Sequence, residues 1–149
     1  MYTGLLHTHS ALRYVALILL LATVVKTFIG WQQNKAFTAA DDKLSLFTFI
    51  SLHIQLLIGL ILYFISPTVK AAMANVGEAM KNPELRYFLV EHISVMIIGI
   101  VVVSVGRIKA KKLTNDLQKH KTTFVFFAIG LVLILSRIPW PFTTVARGY

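Results

Sequence analysis

The chain has 149 residues, of which 56% are hydrophobic and only 14% are charged, and its mean hydropathy is +0.72. Because a soluble domain carries about a quarter charged residues, this composition excludes an ordinary soluble protein and favours an integral membrane protein. The absence of cysteine excludes disulfides, iron–sulfur clusters, Cys-ligated zinc and covalent c-type haem attachment. The net charge of +9 lies mostly in one loop between apolar runs, which indicates a role in membrane topology and lipid contact, not nucleic-acid binding.

The first two apolar runs predict membrane-spanning helices at about 8–30 and 44–65. Trp31 follows the first run, where an interfacial aromatic residue belongs. At about 1.5 Å per residue the second run would be about 33 Å long, which is enough to cross a bilayer. Thr38 followed by Asp41 is typical of a capping box and predicts the start of the second helix.

The segment after the second run has a different pattern. Val69, Met73, Val76 and Met80 recur at spacings of four, three and four residues, with polar residues between them. This spacing predicts a short amphipathic helix at about 67–81 that lies on the membrane surface. Two roles remain open for it: a connector with an apolar underside, or a lid over a site just beneath.

Two further runs predict spans at about 85–106 and 122–138. Asn82-Pro83 is a helix start signal before the first of them, and Pro139 ends the second. The predicted fold class is therefore an all-α integral membrane protein, an up-down-up-down four-helix transmembrane bundle with a short amphipathic surface helix between helices two and three. The chain is too short for a second bundle, which predicts a single domain over 1–149.

Lys and Arg are unevenly distributed between the two faces of this predicted bundle. Residues 107–121 contain six Lys or Arg and one Asp, so this loop is expected in the cytoplasm. Nine of the 15 Lys and Arg then lie on the cytoplasmic face and six on the outer face. The sequence thus predicts a multi-pass protein of the bacterial inner (plasma) membrane with both termini outside.

Glu91 and His92 stand inside an otherwise apolar run, where ionisable side chains are costly and mark a site. His92 would lie about 8 Å inside the outer boundary, and His9 of the first helix about 7 Å inside it. Helices one and three are diagonal in an up-down-up-down bundle. The pair is therefore predicted to ligate one haem iron from opposite faces. The porphyrin would then pass between helices two and four, where Gly59 and Gly130 leave room.

Charged side chains near this level have predicted partners. Arg137, Arg86 and Arg13 would pair with haem propionates that point outward. Arg13 follows His9 by four residues and so shares its helix face. Glu91 is predicted to pair with Arg86 or Arg13, or to handle protons.

The other histidines leave alternatives open. His53 lies about 10 Å too deep to pair easily with His92, so it is either a third candidate ligand or a helix-to-helix hydrogen bonder toward Ser94 or Ser104. His7 is an alternative to His9, and His120 is expected to be a solvated loop residue. The alternative to haem ligation is a purely structural role for both residues. His9 would then be an interfacial histidine without a ligand, and His92 would only form a hydrogen-bonded pair with Glu91.

Taken together, these segments resemble a family of small four-helix bacterial inner-membrane proteins catalogued as cytochrome b-like. The matching segments are His9-Ser10-Ala11-Leu12-Arg13-Tyr14, His53-Ile54-Gln55-Leu56-Leu57-Ile58-Gly59, Glu91-His92-Ile93-Ser94 and Ile138-Pro139-Trp140-Pro141. The resemblance implies b-type haem binding, with His9, His53 and His92 as candidate ligands. The chain is more loosely similar to one half of haem A synthase, but it departs from that family's Glu-x-x-His-Arg pattern, because Glu91 adjoins His92.

The sequence thus predicts a bis-histidine haem b protein in electron transfer, because two imidazoles would fill both axial positions. The predicted partners are the lipid bilayer, a quinone or a larger respiratory complex, and further copies of the chain. The main alternative is a non-redox accessory or assembly subunit of a membrane complex. A transporter is a third interpretation, for which the chain is short. The sequence contains no nucleophile–base motif and no phosphate loop, so it does not predict a soluble-type enzyme.

Overall fold

The computed structural model describes residues 1–143, which are helical apart from short connections and contain no strand. The elements in chain order are α1 (Tyr2–Gln32), α2 (Ala39–Ile65), α3 (Pro67–Ala74), α4 (Val76–Lys81), α5 (Pro83–Arg86), a π-helical turn (Tyr87–Glu91), α6 (His92–Lys112) and α7 (Asp116–Ser136). Four stretches are long and apolar enough to cross a membrane: α1, α2, the continuous stretch Pro83–Lys112, and α7. The predicted all-α, four-span membrane fold is confirmed. Residues 144–149 of the predicted single domain lie outside the described residues.

The four long helices form a bundle in which α1 packs against α2 and α7, and α6 packs against α7 and α2. Helices α1 and α6 therefore face each other across the diagonal, as predicted. We call the end that holds the start of α1, α3–α5 and residues 137–143 the termini end. The opposite end, with the connections at 33–38 and 113–115, is the basic end.

The central core draws on all four long helices. Its buried members are Ala16, Leu20, Leu52, Ile100, Val103, Phe127, Ile134 and Ile138. Helices α6 and α7 approach each other most closely through glycines. A Cβ on Gly130 would overlap the Val103 side chain, and one on Gly106 would overlap Phe126. Gly130 therefore serves helix packing, which corrects its predicted place beside a porphyrin.

The helix ends follow their capping residues. The Thr38–Asp41 capping box is confirmed, since Thr38 N–H donates to the Asp41 carboxylate at 2.8 Å and the Thr38 hydroxyl accepts from Asp41 N–H. Asn82 accepts from the N–H groups of Glu84 and Leu85 at the start of the third span. The helices extend beyond the predicted spans because these polar caps end a helix, whereas hydropathy only indicates how much of it crosses lipid.

The surface segment differs from the single amphipathic helix predicted at 67–81. Helix α3 ends at Asn75, whose backbone leaves helical geometry at φ −145° and ψ 82° and whose side chain caps α4 by accepting from Glu78 N–H at 3.2 Å. Asn competes with the helix for backbone hydrogen bonds and so favours such a break.

The break also changes which face of the segment is buried. Val69, Ala72 and Ala79 form the buried face, packed against Tyr63, Leu85 and Phe88. Of the predicted apolar stripe, only Val69 is buried, at 4% exposure, whereas Met73, Val76 and Met80 are 44%, 52% and 42% exposed. The segment still lies across the termini end, with Val69, Ala72 and Ala79 packed inward.

His120 is not the solvated loop residue that the neighbouring lysines suggested. It is 1% exposed, because α7 begins at Asp116 and carries His120 one turn into the bundle. Its Nε2–H donates to the Ala36 carbonyl at 3.3 Å, and its ring meets Phe37 edge to face at 4.9 Å. A Cβ on Gly30 would overlap this imidazole, so the glycine makes the room for it.

Candidate functional site

A cavity of about 450 Å³ opens between the four helices at the termini end. Its walls are mostly apolar, and its floor includes core residues such as Leu52 and Ile100. Four polar side chains among its lining residues stand out: His9, Arg13, Gln55 and His92. Volume and lining both match those of small-molecule and cofactor sites, which are apolar with a few placed polar groups.

His92 enters this cavity directly after the π-helical turn Tyr87–Glu91. In a π turn the N–H bonds the carbonyl five residues back, and here His92 N–H bonds Tyr87 O. The His92 Nδ1–H donates to the Arg137 carbonyl at 2.7 Å. Nε2 is therefore the ring nitrogen left with a free lone pair, which is the arrangement of a metal-ligating histidine whose second nitrogen is held by a carbonyl.

The irregular end of α7 supplies the acceptor for this bond. Carbonyls at a helix C-terminus have no intrahelical partner, and Pro139 cannot continue the helix. The Arg137 carbonyl accepts a second bond, from the Tyr87 hydroxyl at 2.7 Å, and the Pro139 carbonyl accepts from Arg13 Nη1 at 3.3 Å. The segment after α7 therefore holds Tyr87, His92 and Arg13 at one level.

His9 reaches the same cavity from α1, across the diagonal. Gln55 of α2 fixes the helix at this point, since its Nε2–H donates to the His9 carbonyl at 2.7 Å. The imidazole itself lies over Gly59, where an added Cβ would come within 3.1 Å of His9 Cε1. The buried Nδ1 of His9 and Oε1 of Gln55 have no hydrogen-bond partner among the described residues. Unsatisfied buried polar atoms are costly and need an explanation.

The acidic residue beside His92, Glu91, pairs with two arginines. Arg86 Nε lies 2.7 Å from Glu91 Oε1, which confirms the first of the two predicted pairings. Arg137 Nε lies 3.6 Å from Glu91 Oε2, so one carboxylate sits between two guanidinium groups. Arg137 itself is not among the residues that line the cavity, whereas Arg13 is. Arg13 Nε is buried without a partner among the described residues.

The remaining histidines do not join this group in the same way. His53 Nδ1–H donates to the Phe49 carbonyl of its own helix at 2.7 Å, and the two rings stack at 4.0 Å. His53 is not a cavity-lining residue, and its described contacts do not include the predicted bonds to Ser94 or Ser104. His7 is exposed and lines the cavity at its rim.

Sequence reasoning missed three parts of the site: the π turn, Tyr87 and the role of Gln55. Gln55 carried a usable signal, because an amide in an apolar span has to find a partner in a neighbouring helix. The π turn carried none, since its residues would also suit an α-helix. Within residues 1–143, no group of three or more His, Asp or Glu side chains is placed to hold a metal ion.

Comparison of the sequence with models of protein families and with curated proteins, and of the fold with solved structures, gives no match. The resemblance to cytochrome b-like membrane proteins and to haem A synthase therefore stays a prediction. What can be argued about function comes from the cavity and the side chains that line it.

Proposed function

We propose that this membrane protein binds one b-type haem between His9 and His92 and takes part in electron transfer. The observation that carries the proposal is the pair itself: two imidazoles from diagonal helices line one apolar cavity, at the same end of the bundle. The residues present suit this group, because haem iron accepts neutral imidazole nitrogens and the ring needs an apolar pocket.

Hydrogen bonding supports each histidine in this role. His92 donates Nδ1–H to a backbone carbonyl, which fixes its tautomer and leaves Nε2 for a ligand. The unpartnered Nδ1 and Gln55 Oε1 beside His9 are the kind of polar atoms that a bound group would account for. The absent side chain at Gly59 gives the His9 ring its space. His53, the third candidate ligand, also donates Nδ1–H to a carbonyl, but it does not line the cavity.

The charges around the cavity suit a group with carboxylates. Arg13 lines the cavity and Arg137 and Arg86 do not, so Arg13 is the better candidate for a propionate. Arg137 and Arg86 are both within ion-pair distance of Glu91, which occupies their charge. A haem held by His9 and His92 would supply reversible one-electron transfer. A quinone or a larger respiratory complex is the proposed exchange partner.

The test is the absorbance of the purified full-length chain, produced with haem precursor supplied. We expect a sharp α-band on reduction and one haem b per chain in a pyridine haemochrome assay. His9→Ala and His92→Ala should each lose most of the pigment, whereas His53→Ala and His7→Ala, the matched controls, should keep it. A colourless wild-type chain would overturn the proposal and favour the non-redox accessory subunit.

The charge distribution supports an orientation for the multi-pass fold. Among the described residues, the basic end carries nine Lys or Arg and three acids, and the termini end five and three, so their net charges are +6 and +2. We infer that the basic end faces the cytoplasm of a bacterial inner membrane and that both termini face outward. Since the chain has no cysteine, a single Cys at Thr114 or at Gly77 can report this. A membrane-impermeant maleimide added to intact cells should label the Gly77 variant alone, and the reverse pattern would overturn the orientation.

A further inference from the structure

A second cavity, of about 260 Å³, lies at the basic end between the start of α2, the end of α6 and the start of α7. Its charged lining residues are Asp42, Arg107, Lys111 and Lys119. Three cations against one carboxylate give these residues a net charge of +2. The proposed haem site does not include this cavity.

Arg107 is the innermost of the three cations, at 6% exposure. Its Nη1 donates to the Asp42 carbonyl at 3.1 Å and to the Ser45 hydroxyl, and lies 3.3 Å from the Asp42 carboxylate. All of these contacts use Nη1, so Nε and Nη2 have no partner among the described residues. A guanidinium is a rigid fork of donors that fits a phosphate.

The two lysines add charge that the protein does not neutralise. Lys111 Nζ lies 3.8 Å from the Asp42 carboxylate, which is longer than a hydrogen bond. Lys119 Nζ lies 5.7 Å from the centre of the Phe37 ring and has no carboxylate within ion-pair distance in the described range. Asp42 is thus shared by two of the three cations, and the third is left for an anion.

The backbone beside these cations has the same polarity. Thr38 and Ala39, at the N-terminus of α2, also line the cavity. The capping box already uses the N–H groups of Thr38 and Asp41, so the backbone adds the partial positive charge of the helix start.

We propose that this cavity binds a phosphate group, the chemistry shared by an anionic phospholipid headgroup and by free phosphate. Basic pockets between transmembrane helices are a known form of anionic-lipid site. The helices that frame the cavity are long and apolar enough to cross a membrane, which favours the phospholipid as the source. The site fixes α6 and α7 to the start of α2 from the side opposite the histidine cavity.

The test is native mass spectrometry of the full chain in neutral detergent, titrated with dioleoylphosphatidylglycerol, with dioleoylphosphatidylcholine, or with inorganic phosphate. We expect one phosphatidylglycerol to bind at least tenfold more tightly than phosphatidylcholine. The double variant Lys111→Gln/Lys119→Gln should lose about tenfold or more in that affinity, because each lysine near the headgroup contributes attraction. The variant Arg107→Lys, which keeps the charge but loses the fork, should also weaken binding.

The matched control is Lys43→Gln/Lys112→Gln, which removes two exposed lysines of the same end that do not line the cavity. Its affinity for phosphatidylglycerol should stay within about twofold to threefold of the wild type. Equal loss in both double variants would overturn the site, since attraction would then come from the surface as a whole. Tight binding of inorganic phosphate with no gain for the lipid would support the site and assign free phosphate as its source. No saturable binding of either would overturn the proposal.

Discussion

The histidine side chains at the two ends of the bundle have opposite surroundings. At the basic end, His120 is sealed in the space left by Gly30, bonded to the Ala36 carbonyl and covered by Phe37. At the termini end, His9 and His92 line a cavity of about 450 Å³. Histidine is thus packed in the interior at the basic end, whereas at the termini end it lines a cavity.

The two halves of the bundle also differ in how their buried polar groups are hydrogen-bonded. In the basic half of the bundle, α1 and α2 are joined by the buried Thr23–Thr48 hydroxyl pair at 2.8 Å, and each of these hydroxyls also bonds a carbonyl. At the termini end, polar atoms of His9, Gln55, Arg13 and Arg137 are buried without hydrogen-bond partners in the described chain, whereas at the basic end only His120 Nδ1 is. Polar groups that stabilise a fold are satisfied within it, whereas those left open are candidates for a ligand. Most of these open polar atoms therefore lie at the termini end, and those of His9, Gln55 and Arg13 belong to residues that line the histidine cavity.

The largest expected effect comes from filling the histidine cavity. Gly59→Leu places a side chain where a Cβ already comes within 3.1 Å of His9 Cε1, so the ring has to move. We expect nearly complete loss of haem with little loss of thermal stability, because Gly59 faces a cavity. The haemochrome assay and a melting curve measure the two quantities. Full pigment in this variant would contradict the proposed position of the haem.

The matched change in the packed half is Gly106→Leu, which drives a side chain into Phe126. Overpacking of this kind costs about 1–3 kcal/mol, so we expect a clear fall in the free energy of unfolding. The haem content of the folded fraction should not change. A variant that unfolds normally but loses its haem would show that the two halves are not independent.

Arg13→Gln sharpens the electrostatic part of the comparison. A cation beside a haem stabilises its reduced form, because reduction adds a negative charge. Removing the Arg13 charge should therefore shift the midpoint potential to a more negative value, with the haem retained. A redox titration followed at the α-band measures the shift, and Arg86→Gln, which pairs with Glu91 outside the cavity lining, is the control. A shift of equal size in the control would show that the effect is not specific to Arg13 and would contradict its proposed place beside the haem.

The smallest expected effect is that of Thr23→Val, which removes one partner of the interhelical hydroxyl pair. Hydrogen bonds between transmembrane helices contribute about 0.6 kcal/mol on average. We expect a loss of that order in the free energy of unfolding and no change in the haem spectrum. A spectral change would mean that the packed half controls the site.

Hydropathy and capping residues were enough to predict the four spans and the capping box at Thr38, because both signals are local in the sequence. The diagonal relation of His9 and His92 also followed, since short connections restrict how four helices can be arranged. Predictions from the sequence were wrong where tertiary contacts decide whether a residue is buried. The lysines around His120 suggested solvent, but the start of α7 turns that face inward. Asn75 could have been recognised as a cap, and with it the division of the surface helix.

The histidine site was only partly predictable, for the same reason. His9, His92 and Gly59 stood out because a polar or small residue in an apolar run needs a purpose. Tyr87 and Gln55 act through partners 50 and 46 residues away, which no local pattern indicates. His53 resembles His92 in sequence context, yet its ring bonds to its own helix.

The π turn at Tyr87–Glu91 has a consequence for how this span can change over evolution. A turn with one residue more than an α-helical turn is what a single-residue insertion leaves behind. Deleting Phe88 would restore an ordinary helix and turn everything before it by about 100° relative to α6. Tyr87 and the surface segment α3–α5 would then be carried away from the Arg137 carbonyl that Tyr87 shares with His92. One codon thus decides whether Tyr87 and His92 share an acceptor.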